Sequence, residues 1–345
     1  MSKENITIVE IAKLAGTSHA TVSRVLSNPN YPVSEELRNR VMDIVRKYNY
    51  TPNINGRLLK QTMTSDVGII VPNYDNPYYY VIVSDLEKQL SKDDISLIVM
   101  STQNDPKIER RIIERILSRR PRAIVLLEGV NSPESIQLIH QKGVKLIALN
   151  QSQYIEGGYC IDTDCEYSSS IAVDFLYRLG HRHIGCISSP ISTSSLSCIR
   201  YINGVKAAMQ RHGLELAIEC SETNEVLPGN LYSYEIGREM TSRLICNHPD
   251  LTAIIASNDI TAMGAISILQ EMGISVPDDI SVIGRDDITM ARMFSPSLTT
   301  VREPFGDVIS SITYALSLEE VAPTDEHMTV IRSQIIPRKS TKRIK

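Results

Sequence analysis

The side chains best suited to chemistry in this 345-residue chain cluster in one short run, HATVSRVLSN, where His19, Ala20, Thr21, Ser23 and Arg24 share a face. That face can donate hydrogen bonds, accept them and carry positive charge. It suits the major groove of duplex DNA, where each base pair displays its own donor and acceptor pattern and an arginine can bond guanine O6 and N7 in a fork. Arg24 is the candidate for that contact. Taken alone the pattern is weak, because any amphipathic helical hairpin produces it.

Two helices must position this face. Thr7-Ile8-Val9-Glu10 fits a capping box, with the threonine hydroxyl accepting from a first-turn N–H and the glutamate reaching back to the cap. Ile8, Ile11, Ala12 and Ala15 then recur at helical spacing, and Gly16 can take the positive φ needed where the chain reverses. Ser18 is a good N-cap for a second helix, in which Val22, Val25 and Leu26 turn inward. Beyond SNPNYPV, Ser34 caps a third helix whose stripe Leu37, Val41, Ile44, Val45 and Tyr48 closes a small core. Thr51-Pro52 restarts the chain with proline at a first helical position. The segment Asn53 to Lys60 is barely two turns long and contains Asn55 and Gly56, so it reads as a linker that orders on contact.

Charge is divided along the chain. Residues 1–60 hold nine Lys/Arg against five Asp/Glu, a net +4, which leaves 27 against 35, a net −8, in the remainder. A basic head on an acidic body is expected when one part meets phosphates and the other does not. The length suits two or three domains of roughly 100 to 200 residues. Cys160, Cys165, Cys186, Cys198, Cys220 and Cys246 form no CxxC pair and no zinc-spaced cluster, so they are expected to be reduced and mostly packed. No charged-then-apolar leader precedes Ile6, and runs such as Val67 to Val71 are too short to cross a bilayer, so a soluble, cytoplasmic protein without membrane contact is expected.

From Asp66 onward, apolar runs alternate with amphipathic helices: Val67–Val71, Ile95–Met100, Ala123–Leu127, Val144–Leu149, Ile184–Ile187, Ala253–Ala256 and Ile280–Ile283. This is the pattern of parallel strands joined by right-handed crossovers, and two such α/β units fit, with a break near Asp162. Asn258 and Asp286 lie just past predicted strand ends, where ligands approach open α/β sheets. His181 follows the helix-ending Gly180 and has a ready capping or packing role.

TIVEIAKLAGTSHATVSRVLSN, PVSEELRNRV and YNYTPNINGRLLK closely resemble the head and hinge of the LacI/GalR family of bacterial transcription regulators. The resemblance continues through DNPYY at 75–79, LGHRHIG at 179–185, SND at 257–259, PDDISVIGRDD at 277–287 and SPSLTTV at 295–301. It implies an α/β protein: a helix-turn-helix three-helix head (1–50), a hinge helix and linker (51–64) and a two-lobed periplasmic-binding-protein-like body with parallel sheets (65–345). Lobe 1 would take about 65–161 and 290–320, lobe 2 about 162–289 and 321–340, with an effector cleft between them. In the family the hinge helix folds on the operator and wedges a leucine into the minor groove. Leu59 matches that leucine, with Asn53 and Arg57 facing DNA beside it, while Gly56 replaces the usual alanine and lowers helix propensity by up to about 1 kcal/mol. The set expected to meet DNA is therefore Thr7, Ser18, His19, Ala20, Thr21, Ser23, Arg24, Asn28, Tyr31, Asn53, Arg57 and Leu59.

For the effector, the resemblance points to Tyr78 and Tyr79 as an aromatic pair at the cleft mouth, and to Asn258 and Asp286 as hydrogen-bonding positions. On the opposite lobe the chain departs from the family. Tyr201 stands where an arginine is usual, Arg200 is one residue earlier, Arg285 replaces an aromatic, and Tyr232 falls near a further cleft position. A guanidinium and several phenols suit an acidic or phosphorylated sugar, or a purine. The expected function is a homodimeric repressor that binds a pseudo-palindromic operator in double-stranded DNA under control of a sugar or sugar derivative, without a cofactor. An activator built on the same binding physics is an alternative. A solute-binding transport protein would share the body, but it predicts a secretion signal and no basic head. An enzyme is disfavoured: no nucleophile elbow, phosphate loop or metal cluster stands out, and Asp286-Asp287 reads as a ligand contact beside a solvated neighbour.

Overall fold

A computed structural model describes residues 6–28, 30–48, 50, 64–103, 105–128, 132–188, 196–220, 232–318 and 328–344. The chain divides into two compact units, Met1–Met63 and Thr64–Lys345. In the first, helices α1 (Ile8–Ala15), α2 (His19–Ser27) and α3 (Glu35–Lys47) enclose Ile11, Ala15, Val22, Val25 and Val41. The capping box is formed: the Thr7 N–H donates to Glu10 at 2.7 Å, and Glu10 N–H donates to the Thr7 hydroxyl at 3.3 Å. Gly16 reverses the chain at φ 68°. Ser18 and Ser34 cap the next two helices by accepting from Thr21 N and Leu37 N. Tyr48 departs from the expected stripe. Helix α3 stops at Lys47, so Tyr48 swings outward, 46 % exposed, and Tyr50 packs on the core instead.

The second unit holds two six-stranded sheets. The first contains β1 (Val67–Val71), β2 (Leu97–Ser101), β3 (Ala123–Leu126), β4 (Lys145–Leu149), β5 (Gly158–Asp162) and β11 (Met328–Val330), in the order β11-β5-β4-β3-β1-β2. The second contains β6 (Ile184–Ser188), β7 (Leu216–Cys220), β8 (Ala253–Ala256), β9 (Ser281–Arg285), β10 (Thr299–Arg302) and β12 (Gln334–Ile336), in the order β12-β10-β9-β8-β6-β7. All strand pairs are parallel except β10 with β12. Each expected apolar run is a strand, and all carry helices across a face, as parallel sheets require.

The crossings between lobes fall later than expected. Thr299–Arg302 still pairs with β9 in the second sheet, so the chain leaves that lobe at Glu303-Pro304 and not near 290. The Phe305–Ser317 helix then buries Val308, Ile309, Ile312 and Leu316 in the first lobe, β11 joins β5, and residues 331–333 lead back to β12. The return is thus near 331, not 320.

Close helix contacts fix the second lobe. A Cβ on Gly204 would lie 2.7 Å from Glu166 Cα and nearer still to Glu166 O and Ser169 Oγ, so the Leu196–Arg211 helix sits directly against the Cys165–Arg178 helix. His181 is buried, its ring nitrogens meeting Thr252 Oγ1 at 2.9 Å and Lys342 O at 3.1 Å, a packing role that ties down the C-terminal tail. Cys160, Cys165, Cys186, Cys198 and Cys246 are free thiols. Among the described residues no helix is long and apolar enough to cross a membrane.

Candidate functional site

In the head, α2 presents His19, Ala20, Ser23 and Arg24 to solvent, while Thr21 is half-buried and shares a 2.9 Å hydroxyl contact with Ser18. Arg24 does not hang loose. Its Nη1 donates to the Tyr31 hydroxyl at 3.0 Å, and its guanidinium lies 5.6 Å from that ring's centroid. Tyr31 is itself held, its carbonyl accepting from Arg38 Nη2 at 2.5 Å. Asn28 ends α2, and its side-chain oxygen accepts from Asn30 N at 2.9 Å. Thr7 acts as the cap of α1. Asn53, Arg57 and Leu59 lie outside the described residues.

In the body, strand register brings polar groups level at the carboxyl ends of both sheets. Leu126 pairs with Ala148 and Leu149 with Ile161, which sets Glu128, Asn150 and Asp162 side by side. Ile255 pairs with Ile283, which sets Asn258 beside Asp286. These edges face one another through specific contacts. Asn76 Nδ2 donates to Asp286 Oδ2 at 3.1 Å, Ser197 Oγ to Glu128 Oε2 at 2.5 Å, and Arg200 to both Asp162 oxygens at 2.7 and 3.0 Å. Tyr79 OH and Asn150 Nδ2 both donate to Glu128 Oε1, at 2.9 and 3.1 Å.

Asp286 is the most constrained member. It is 5 % exposed and adopts φ 112°, a left-handed value that costs a non-glycine residue energy and is seen mostly where surrounding structure enforces it. Its N–H donates to Val301 O at 2.9 Å. Burial pushes its carboxyl up to about 7; Arg285 opposes that rise, and Glu303 adds to it. The Tyr79 hydroxyl is raised well above the usual phenol range, first by burial and then by Glu128.

Several expected contacts are spent inside the protein. Tyr78 is 3 % exposed, packs against Phe305 and donates to Glu303 Oε2 at 2.6 Å, so it is core and not an open aromatic at the cleft mouth. Tyr201 is likewise buried at 1 %, with its hydroxyl on Ala256 O at 3.1 Å. Asn258 uses its side-chain oxygen to cap the Asp259–Glu271 helix through Thr261 N at 2.8 Å. Asp287 is not solvated: it pairs with Arg302 at 2.5 Å and with Arg338. Tyr232 opens the Tyr232–Asn247 helix, and its side chain lies outside the described residues. The sequence reading missed Asn76, Glu128, Asp162, Ser197 and Glu303. Glu128 and Asp162 were within reach of the strand-end argument that selected Asn258 and Asp286. Glu303 was not, because it follows a short strand that left no apolar run.

Two family models match, "Bacterial regulatory proteins, lacI family" over residues 7–53 and "Periplasmic binding protein-like domain" over residues 173–341. The HTH-type transcriptional repressor PurR of Mannheimia succiniciproducens is 30 % identical over 345 residues, covering 98 % of this chain and 99 % of that protein. The lac repressor dimer bound to operator and an anti-inducer has a similar fold, with a TM-score of 0.77 at 21 % identity over 98 % of this chain and all of that one. A LacI family regulator from Enterococcus faecium with bound ribose matches at a TM-score of 0.69 and 22 % identity, over 81 % of this chain and all of that one. With the head, the two parallel sheets and a full-length relative in agreement, the chain belongs to the LacI family of bacterial regulatory proteins: it is a transcriptional regulator with a helix-turn-helix head and a ligand-binding body, not an enzyme.

Proposed function

We propose that this regulator is a cytoplasmic repressor that binds a pseudo-palindromic operator as a homodimer and is controlled by a sugar or sugar derivative held between the lobes of its body. The observation that carries the effector half of this reading is the set of ties across the strand ends, Asn76 to Asp286, Ser197 to Glu128 and Arg200 to Asp162. A ligand entering there must exchange partners with groups from both lobes, so it discriminates between lobe arrangements. That difference in affinity is the condition for switching, because a ligand binding both arrangements equally shifts nothing.

On the DNA side, Arg24 would read a base edge, with His19, Ala20, Thr21 and Ser23 beside it and Thr7, Ser18, Asn28 and Tyr31 setting the helices or meeting phosphates. Asn53, Arg57 and Leu59 would act from the hinge. The lac repressor dimer on its operator and the ribose-bound regulator from Enterococcus faecium support the dimer, operator and sugar elements by likeness. The test is fluorescence anisotropy of the full chain with duplexes drawn from upstream of its own gene, with and without hexoses, hexose phosphates and purines, alongside sedimentation. Sequence-selective binding by a dimer, altered by one ligand group, is expected. A monomer without duplex preference overturns the proposal.

A further inference from the structure

The two rims of the first-lobe sheet differ in charge. Strands β1 to β5 are parallel, so their carboxyl ends, with Glu128, Asn150 and Asp162, share one rim, and the loops that enter them share the other. The chain joins the body on that second rim. There the Thr64 N–H donates to Arg120 O at 2.8 Å, and the Thr64 hydroxyl donates to the same oxygen at 3.2 Å.

Cations collect beside this junction. Residues 107–122 hold seven Lys/Arg against two Asp/Glu, a net +5 within a remainder of net −8. The Pro106–Leu117 helix carries Arg115 in its last turn, and Arg119 and Arg120 follow in the loop that enters β3. Lys142 follows the Pro133–Gln141 helix in the loop that enters β4. All four are exposed. In the second lobe the loops entering β6, β8 and β9 carry Arg182 against Asp250, Asp278 and Asp279.

Ordinary structural roles account for only part of this charge. Arg122 and Lys145 cap the Phe305–Ser317 helix, donating to Leu316 O at 2.6 Å and Ala315 O at 2.9 Å. The other two helix ends on the rim present about half a negative charge each, which a single cation offsets. Glu114, the exposed acid of the Pro106–Leu117 helix, is taken by Arg110. Asp66 and Asp94 lie before β1 and β2, on the side of β3 away from β4. Arg115, Arg119 and Lys142 form no ion pair among the described residues.

Exposed cations gathered on one rim repel one another, and a polyanion relieves that repulsion. Resting on the operator-binding reading above, we infer that this rim of the body is a second DNA contact, in which Arg115, Arg119 and Lys142 meet backbone phosphates of the duplex that the head reads. Such contacts add affinity and carry no sequence information. The sheet then holds phosphate at its strand entries and the proposed effector at its strand exits.

The experiment is fluorescence anisotropy of the full chain on a duplex that it selects itself from a random pool, across roughly 50–200 mM KCl. Each phosphate contact contributes about 0.9 to the slope of log affinity against log salt. Arg115→Gln with Arg119→Gln should flatten the slope of a dimer by about 2–4 and weaken binding about tenfold at the lower salt, and Lys142→Gln, at a separate helix end, should flatten it by about 1–2. Lys206→Gln with Arg243→Gln removes the same charge from exposed positions of the second lobe and should leave the slope within about 0.5 of the parent. Each changed side chain is exposed, so the variants should melt with the parent, and the slope of a rim variant that does so decides. An unchanged slope in such a variant, or equal flattening in the second-lobe control, overturns the inference and leaves operator binding standing. Failure to select any duplex sinks the reading beneath it as well.

Discussion

Arg200 sets its two terminal nitrogens on the two carboxylate oxygens of Asp162, so a helix of the second lobe grips the last residue of β5 in the first. Both side chains are nearly buried, at 11 % and 7 % exposure. A planar fork on a planar acceptor fixes orientation as well as distance, which a lysine would not do. The fork is thus an orienting joint between lobes.

Breaking that joint on one side should be expensive. Arg200→Met leaves Asp162 buried without a cation, and the expected loss is about 3–5 kcal/mol in urea melts. The double change with Asp162→Asn should recover part of it, with a coupling of more than about 1 kcal/mol. Additive losses would show that the two groups do not act together.

Gly204 sets how closely the helix bearing Arg200 approaches its neighbour. Gly204→Ala should cost about 1–3 kcal/mol through overpacking against Glu166 and Ser169. Gly306→Ala is the control: nothing lies within 4 Å of its added Cβ, and it sits in the first turn of a helix, so stability should hold or rise slightly. Equal losses at both positions would remove close approach as the cause.

Asp286 makes stability depend on pH in a defined direction. Its carboxyl titrates at about 7 when folded, against roughly 3.9 when unfolded. The folded state therefore holds the extra proton between those values, and this stabilisation, complete below the unfolded value, is lost as pH rises through the folded one. Asp286→Asn should match the parent near pH 4 and exceed it at pH 8, by on the order of 2 kcal/mol. A variant that melts lower than the parent at pH 8 would contradict this.

In the head, Tyr31→Phe removes the hydroxyl that holds Arg24. Losing one such bond should weaken cognate operator binding about fivefold, near 1 kcal/mol. Arg24→Ala should cost roughly 1–3 kcal/mol on the operator and much less on random duplex. Equal losses on both duplexes would make Arg24 a phosphate contact only.

Much of this was legible in the residues because local rules governed it. Thr7, Glu10, Gly16 and Ser18 specify caps and a reversal within a few positions, and the β-branched runs specify buried parallel strands without reference to distant partners. What escaped was set by long-range pairing. Strands β11 and β12 are three residues each and partly exposed, so neither leaves a periodic signal, yet they place the later crossings. At the strand ends, residue type indicated polar chemistry but not which polar group takes which partner. Arg200 reads as a ligand cation from the sequence, but Asp162, remote in the chain, occupies it. Tyr78 and Tyr201 are absorbed by packing for the same reason.

The placement of β11 bears on how the molecule is made. Because residues 328–330 form an outer strand of the sheet begun by β1, and Phe305–Ser317 covers that sheet's core, the first lobe has no contiguous gene segment of its own. A ribosome that has released the first 162 residues has delivered a sheet with an open edge and an apolar face covered only in part, by the Pro77–Leu90 helix, so the lobe cannot close until translation is nearly complete.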